Sequence, residues 1–359
     1  MFKQYKTKIL KLNNNIDGQL LQNIRILEVN SDYLIGVDGY YFYKFDLKTK
    51  EWSFFSKIES KYTPFAKYSL IRRLFRVEVT KLYSFANGEM FCIAKKGIFR
   101  FDKKSGNFKK CFHVKRGSRP LSLCQDKNGT IYFGEYFANV DKKPVHIYRS
   151  NNNGYSWDIA YTFAEKEINH IHGIYLDKYS DKIWILTGDR DQECIIGYTE
   201  NGFKSLKIVF RGGQEYRTCG LFFYPDFIVF ATDSQYIKNK IKYFDRKNLR
   251  ISELNEIQGS CIHTAQCGDI SFMSTTIEPS AINLDQNSYL WISFNGKKWR
   301  QMTYFKKDFL PKTLFQFGSI RFPNYQLEQS ELRKLYFTAR ALQKVDGSTI
   351  TADIKHLQK

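Results

Sequence analysis

Six times along this chain a short apolar strand ends in a small polar residue, and a large apolar residue follows six or seven positions later. The copies are Tyr43-Lys44-Phe45-Asp46 with Trp52, Phe99-Arg100-Phe101-Asp102 with Phe108, Ile147-Tyr148-Arg149-Ser150 with Trp157, Ile196-Gly197-Tyr198-Thr199 with Leu206, Lys242-Tyr243-Phe244-Asp245 with Ile251, and Leu290-Trp291-Ile292-Ser293 with Trp299. Their last strand residues stand at 46, 102, 150, 199, 245 and 293, a period of 46 to 56 residues. A period of that size with several short strands in each unit is the mark of propeller blades. A chain of 359 residues would otherwise suggest two or three domains; radially stacked blades make it one, residues 1–359.

The reading is therefore an all-β, seven-bladed propeller of four-stranded antiparallel blades. In the third unit the turn Asp126-Lys127-Asn128-Gly129 is a hairpin signal between strands at 121–125 and 130–134, followed by strands at 146–150 and 158–163. The same pattern sets units at about 23–57, 72–116, 119–164, 170–211, 216–258 and 260–306. A seventh, about 314–345, has candidate first and second strands at 314–317 and 335–338 but no third copy. The alternating segment 5–12 is expected to complete that unit and close the ring, which removes sheet edges that would otherwise pair with other chains. Six blades with a C-terminal extension is the alternative.

Composition narrows the setting. No stretch approaches the ~20 apolar residues of a membrane helix, and the N-terminus lacks the apolar core of a secretory signal, so a cytoplasmic location is expected. Seven scattered cysteines form no CxxC and no metal spacing, which fits buried thiols better than disulfides. The net charge of +20 fits either a solvated lysine-rich surface or an anionic partner: an acidic carbohydrate, a sugar phosphate or a lipid-linked glycan, with association at a membrane surface as a corollary. Lysines are spread over every unit rather than gathered in one arm, which argues against nucleic acid.

In a four-stranded meander the first-to-second and third-to-fourth turns lie on one face of the disc and all other loops on the opposite face. The first face carries ordinary turn residues. The second receives the unusual polar groups: Arg73, Arg76, Arg119, Glu135, Tyr136, His170, His172, Asp189, Asp191, Gln214, Tyr216, Arg217, Asp233, Asn239, His263 and Glu278. Each taken singly fits turn or core chemistry, but turn chemistry does not require all of them to share a face. Carboxylates crowded at one channel mouth raise one another's pKa, which is how general acids and bases are made. Asp189, Asp191, Asp233, Glu278, His170 and His172 are the candidate catalytic groups. Arg73, Arg76, Arg119, Glu135, Tyr136, Gln214, Tyr216, Arg217 and Asn239 are candidate substrate-binding groups, the guanidinium forks matching carboxylate or phosphate.

The segment Ser150-Asn151-Asn152-Asn153-Gly154-Tyr155-Ser156-Trp157 resembles the Asp-box, the S-x-D-x-G-x-x-W hairpin of BNR-repeat, sialidase-like propellers, with Asn152 where Asp is usual. Looser echoes are Glu200-Asn201-Gly202 and Asn295 to Trp299. The arrangement also resembles BNR-type proteins associated with bacterial surface-polysaccharide synthesis, over most of the chain. The sialidase F-R-I-P motif is echoed only by Ile320-Arg321-Phe322-Pro323, in the last unit rather than the first. A second constellation is His170, His172, Gln214 and His263: three imidazoles and an amide suit a divalent transition metal, and two histidines two apart on a strand point the same way. Propeller oligogalacturonate lyases are similar in using His and Gln ligands around a metal, in a different order along the chain.

The leading expectation is a carbohydrate-active enzyme that hydrolyses or transfers a glycosidic bond in an anionic glycan or glycoconjugate of bacterial surface-polysaccharide metabolism, with no cofactor. The alternatives are a non-catalytic propeller scaffold and a metal-assisted uronate lyase in which a histidine with Tyr136 or Tyr216 takes the proton beside the carboxylate.

Overall fold

Each repeat copy ends in a side-chain oxygen because that oxygen builds the turn that follows. Asp46 Oδ1 accepts from the backbone N–H groups of Lys48 and Thr49, both at 2.8 Å, and Asp245 Oδ1 accepts from Lys247 and Asn248 in the same way. In the Ser150 turn, Gly154 N–H donates to Ser150 Oγ at 2.8 Å and Ser156 N–H to Asn152 Oδ1 at 2.9 Å. The Thr199 turn repeats this with Phe203 N–H on Thr199 Oγ1 and Ser205 N–H on Asn201 Oδ1. An orphan turn donor is satisfied locally each time, so the next strand can fold straight back.

The computed structural model describes residues 5–13, 16–311 and 314–358. It is an all-β propeller. Among the described residues the strands form four sheets of four strands, one of five and one of nine. Four consecutive meanders, Lys81–His113, Cys124–Phe163, His170–Arg211 and Thr218–Ile257, are the four-stranded sheets. The meander Arg25–Lys57 gains Asn324–Gln326 as a fifth strand, parallel to Arg25–Asn30. In the nine-stranded sheet, the meander Cys261–Lys306 is joined to the C-terminal strands where Thr276 pairs with Ser319.

The ends of the chain meet one expectation in part and correct two. The N-terminal segment does enter the last sheet as its outermost strand, but through Ile16–Leu21, which is the strand that pairs with Thr349–Asp353, Leu20 standing opposite Ile350. Thr7–Asn13 folds back outside it as a hairpin partner. Both segments alternate in polarity, and alternation alone does not set their order. The third strand missing from the last unit is Thr349–Asp353, beyond the expected limit of 345, and its first strand is Gly318–Arg321 rather than 314–317. Residue 314 is described, but 312 and 313 lie outside the described residues.

The core lies between adjacent sheets. Phe42 stacks on Phe108 with centroids 4.5 Å apart, Trp184 meets Phe244 at 5.7 Å, and Phe222 meets Trp299 at 5.3 Å. Large side chains on neighbouring faces interlock in this way around the ring, which accounts for an aromatic content of 17%. Seven cysteines are free thiols, six of them buried. No helix among the described residues is long and apolar enough to cross a membrane.

Innermost strands carry bulges at the level of one channel mouth. Pairing slips between Ile171 and Gly173, between Thr218 and Leu221, and between Cys261 and His263. A bulge adds a residue and re-aims its side chain. His172 and Cys219 are two of the residues so displaced.

Candidate metal centre

His170 and His172 open strand His170–Leu176, and both side chains are buried. The bulge turns their rings toward one another, so that Nε2 of His170 lies 3.1 Å from Nε2 of His172. Each Nδ1 faces a backbone carbonyl, His170 that of Phe137 at 3.0 Å and His172 that of Thr218 at 3.1 Å. A carbonyl only accepts, so each Nδ1 carries the proton, and each neutral ring presents a lone pair at Nε2. Asp189 Oδ1 completes the group, 3.4 Å from His170 Nε2 and 3.5 Å from His172 Nε2.

Three electron-pair donors facing one another repel unless a cation sits among them. A shared proton satisfies two of them; a divalent ion satisfies all three. Their separations of 3.1, 3.4 and 3.5 Å match the ~3.3 Å edge of a tetrahedron built on bonds of ~2.0–2.1 Å. Carbonyls behind both rings are the outer partners that a ligating imidazole ordinarily has. The residues therefore fit a divalent transition metal. A second grouping, His172, Cys219 and Asp233, is less suited, because burial pushes the Cys219 thiol well above its ordinary pKa and disfavours thiolate.

Asp189 is held by its surroundings at both ends. Its backbone has φ 140°, in the region that favours glycine, and such strain persists only where neighbours over-determine it. Gln214 Nε2 donates to the Asp189 carbonyl at 2.8 Å, and Arg217 Nη1 to the same oxygen at 3.2 Å. Arg217 Nη2 also lies 3.1 Å from Oδ1, while Asn169 Nδ2 donates to Oδ2. Burial works against ionisation of this carboxyl, yet with a proton on Nε2 of His170 and His172, in the place an ion would take, their contacts outweigh it and hold its pKa far below the ordinary value. Gly188, next to it, has no room for a side chain: a Cβ there would stand 2.8 Å from the His172 ring. With 29% of its side chain exposed, Asp189 is the most exposed of the three donors.

Behind this layer, Asp233 lies 3.8 Å from Arg217 Nε and accepts from Cys219 Sγ at 3.3 Å. Its carboxyl is pushed up to about 7 by burial, which Arg217 opposes and Glu278 reinforces. Tyr136 packs its ring on His170 with centroids 4.2 Å apart. Burial raises the pKa of its phenol, and the negative groups Asp189, Asp233 and Glu278 add to this.

His170, His172, Asp189, Arg217, Asp233, Tyr136 and Glu278 thus share one mouth. Other expected members stand elsewhere. Asp191 is exposed and receives Gln214 Nε2 at 3.0 Å, away from the histidines. Gln214 spends its amide on Asp189, Asp191 and Ser234, so it positions the loop and is no metal ligand. His263 is outside the His170–His172–Asp189 group; it lines an adjoining inner cavity with His172, Lys81, Arg119 and Arg321, and the four-ligand set His170, His172, Gln214 and His263 is not assembled. Asn239 is buried and ties the Ser234 loop through Thr232 Oγ1 and Ser234 N–H. Tyr216 stacks on Phe210 at 5.2 Å. Glu135 pairs with Arg116. Arg73 lies in the helix Ser69–Leu74 and donates to Asp308 at 2.6 Å and Asp346 at 3.3 Å, a buried structural ion pair. Arg76 is exposed at the end of that turn. Asn169 and Cys219 belong to the site but were not singled out from sequence; only their positions, beside His170 and Arg217, could have indicated them.

Truncating Gln214 to Ala releases the Asp189 carbonyl while leaving the donor atoms in place. The expected result is a 10- to 100-fold weaker affinity for divalent metal, the usual effect of losing such a support. Titration calorimetry with Mn2+ checks it.

No family model matches this sequence, and no curated relative is found by sequence. Among solved structures, the chain is similar to an oligogalacturonate lyase in complex with manganese, with a TM-score of 0.65 over 98% of this chain and 97% of that one, at 8% identity. It is similar to the oligogalacturonate lyase of Vibrio parahaemolyticus, again with a TM-score of 0.65, over 99% and 98% of the two chains at 7% identity. A chain of the mitotic checkpoint complex is also similar, with a TM-score of 0.54 over 98% and 97% at 10% identity. At these identities the likeness speaks for the propeller fold alone.

Proposed function

We propose that this chain is a metal-dependent enzyme acting on an acidic carbohydrate, with a uronate-bearing oligosaccharide as substrate class and β-elimination as reaction. The observation that carries the reading is the triangle of His170 Nε2, His172 Nε2 and Asp189 Oδ1, with edges of 3.1, 3.4 and 3.5 Å. A divalent ion held there would supply Lewis-acid polarisation of a substrate oxygen. The full-length likeness to two oligogalacturonate lyases, one with manganese, favours the same chemistry.

Hydrolysis or transfer by a carboxylate pair has less support. That mechanism needs one free nucleophile or base and one protonated acid. Asp189 is ionised but engaged by two histidines, Asn169 and Arg217. Asp191 faces Gln214 instead of the mouth. In the proposed reaction the chain's own groups divide the work differently. His170, His172 and Asp189 would hold the ion and Arg217 pairs with Asp189, while the half-buried Tyr136 phenol, its pKa raised, stays protonated beside His170. Elimination removes the proton next to the carboxylate. Its electron pair forms the carbon–carbon double bond, and the glycosidic oxygen leaves with the former bond pair and takes up a proton.

For the fold, the finer reading is a ring of seven blades, the nine-stranded sheet counting as two that pair through Thr276 and Ser319.

The test is incubation of the purified chain with oligogalacturonate and other uronate oligomers, with Mn2+ or with EDTA, following the ultraviolet absorbance of the unsaturated product. Metal-dependent formation that Asp189→Asn removes is expected. Release of saturated reducing sugar instead would restore the hydrolase reading, and no turnover on any acidic glycan would favour a non-catalytic scaffold.

A further inference from the structure

Deeper in the channel, beyond His172, the walls carry far more positive than negative charge. A cavity of about 90 Å3 is lined by Lys81, Arg119, His263 and Arg321 among others, with His172 and Cys219 at its outer wall. Arg25 and Arg340 stand just behind. The carboxylate facing this cluster is Glu78, which is fully buried and already committed. Its Oε1 accepts from Gln316 at 2.9 Å and from Arg321 at 3.2 Å, and its Oε2 faces Arg340 at 3.0 Å and Arg25 at 3.5 Å. Asp346, 3.9 Å from Arg340, is shared with Arg73. Five cationic side chains thus meet one wholly committed carboxylate and one shared one.

Three of the cavity-lining side chains have no counterpart at all. Among the described residues, Lys81, Arg119 and His263 make no side-chain hydrogen bond or ion pair. All three are part-exposed, and like charges gathered in one cavity without an anion repel one another. Burial first and then Arg321 lower the pKa of Lys81. Burial, with Arg321 and Arg76, lowers that of Arg119 against the pull of Glu78.

We propose that this inner cavity is a binding site for a small oxyanion, held by Arg119, Lys81 and Arg321 with His263 as a further donor. Its walls combine a guanidinium fork without a partner, a point-charge ammonium and an imidazole, a set that suits a phosphate or a carboxylate. Its volume admits a single such group rather than a sugar ring. Two routes reach it. His172 lies between it and the metal centre, and on the other side it shares Thr80, Lys81, Tyr175, Thr264 and Phe322 with a wide cavity of about 640 Å3 that opens toward the opposite face. The anion comes either as free inorganic phosphate or as the carboxylate of an acidic sugar. The site adjoins the metal centre through His172 but uses none of its donor atoms, and its occupancy does not require the metal-dependent reaction proposed above.

The experiment is titration calorimetry of the full chain in EDTA, with inorganic phosphate in one arm and galacturonate in the other, together with melting curves. Saturable binding in at least one arm is expected. Arg119→Met and Lys81→Met should each weaken it at least tenfold. Because each of these variants removes an unpaired cation, it should also melt higher than wild type in anion-free buffer and lose the gain that the anion gives. Asp189→Asn should bind the anion as wild type does, which separates failure of this site from failure of the metal centre. Phosphate binding alone identifies a free-anion site, and galacturonate binding alone identifies a seat for a substrate carboxylate. Absence of saturable binding of both, or unchanged binding in Arg119→Met and Lys81→Met, overturns the proposal.

Discussion

Replacing His172 with Ala should abolish measurable Mn2+ binding, by at least 100-fold in affinity, and reduce turnover on a uronate oligomer by about 1,000-fold or more. The size follows from the geometry. One of three donors disappears, the second histidine loses the neighbour that fixes the site, and losing even a supporting residue outside the donor set typically costs 10- to 100-fold. His172 is also 2% exposed, so its removal leaves a small cavity, and a modest loss of thermal stability accompanies the loss of metal. His172→Gln fills most of that space with an oxygen donor and should recover stability but little affinity. Burial holds the His172 imidazole below its ordinary pKa, so metal binding by the wild type should weaken only as the pH falls below the ordinary imidazole range, where Nε2 binds a proton instead of the ion. Unchanged Mn2+ affinity in His172→Ala, measured by calorimetry, would sink the metal centre.

The second large effect is expected at Glu78. Substituting Ala removes the carboxylate that faces Arg25, Arg321 and Arg340 and leaves their guanidinium groups buried without it. Breaking a buried pair by deleting one partner costs about 3–5 kcal/mol, a large share of a domain's net stability. Denaturant melts should show a loss of that order, or the variant should fail to fold. The same residue sets an acid limit. Burial acts to raise the Glu78 pKa, but Arg340, Arg321 and Arg25 outweigh it and hold the carboxyl well below its ordinary value. A carboxyl depressed in the folded state stabilises fully above its unfolded pKa, near 4.3 for Glu to about a unit, and that stability is lost as the pH falls below it. Wild type should therefore lose stability below about pH 4 more steeply than the Glu78 variant.

The repeat was legible because its defining residues perform one local task. A side-chain oxygen at 46, 102, 150, 199, 245 and 293 caps a turn, and a large apolar residue restarts the next strand, so sequence and structure share a period. The second unit starts at Lys81 rather than 72, because 72 lies in the short helix Ser69–Leu74, which interrupts the strand pattern. The last sheet was not legible, because Gly318–Arg321 is short and the strand at Thr349–Asp353 carries no copy of the repeat. Nor does sequence tell which of two alternating N-terminal segments lies inside. The site was half legible. Counting loops around the ring brought His170, His172, Asp189, Arg217 and Asp233 to one face without any knowledge of contacts. It failed for Gln214 and Asp191, which are tied to one another across neighbouring loops, for Tyr216, which stacks on Phe210, and for Arg73, which a short helix carries into an ion pair with Asp308. The bulge at His172 decides where both rings point, and bulges leave no mark in hydrophobic alternation. Glu78 was missed because Val77-Glu78-Val79 reads as an ordinary alternating strand with a solvent-facing acid, whereas the cluster of arginines that buries it comes from segments up to 262 residues away, at Arg340.

Where the two ends of the chain meet also fixes when folding can finish. Ile26 N–H donates to Thr349 Oγ1 across 323 residues, and strand Ile16–Leu21 has its inner neighbour in Thr349–Asp353. On the ribosome, each central meander can pair its own strands as it emerges, since those contacts are local. Strand Ile16–Leu21 cannot complete its pairing so early. With Thr7–Asn13 on one side, its other edge stays open until residues 349–353 have been made, exposed to the pairing errors that an open edge invites. Its join to Thr349–Asp353 therefore follows the central meanders. A nascent chain stalled anywhere before residue 349 lacks the partner of Ile16–Leu21, and a chaperone that shields one short segment, rather than the whole ring, would suffice to protect it.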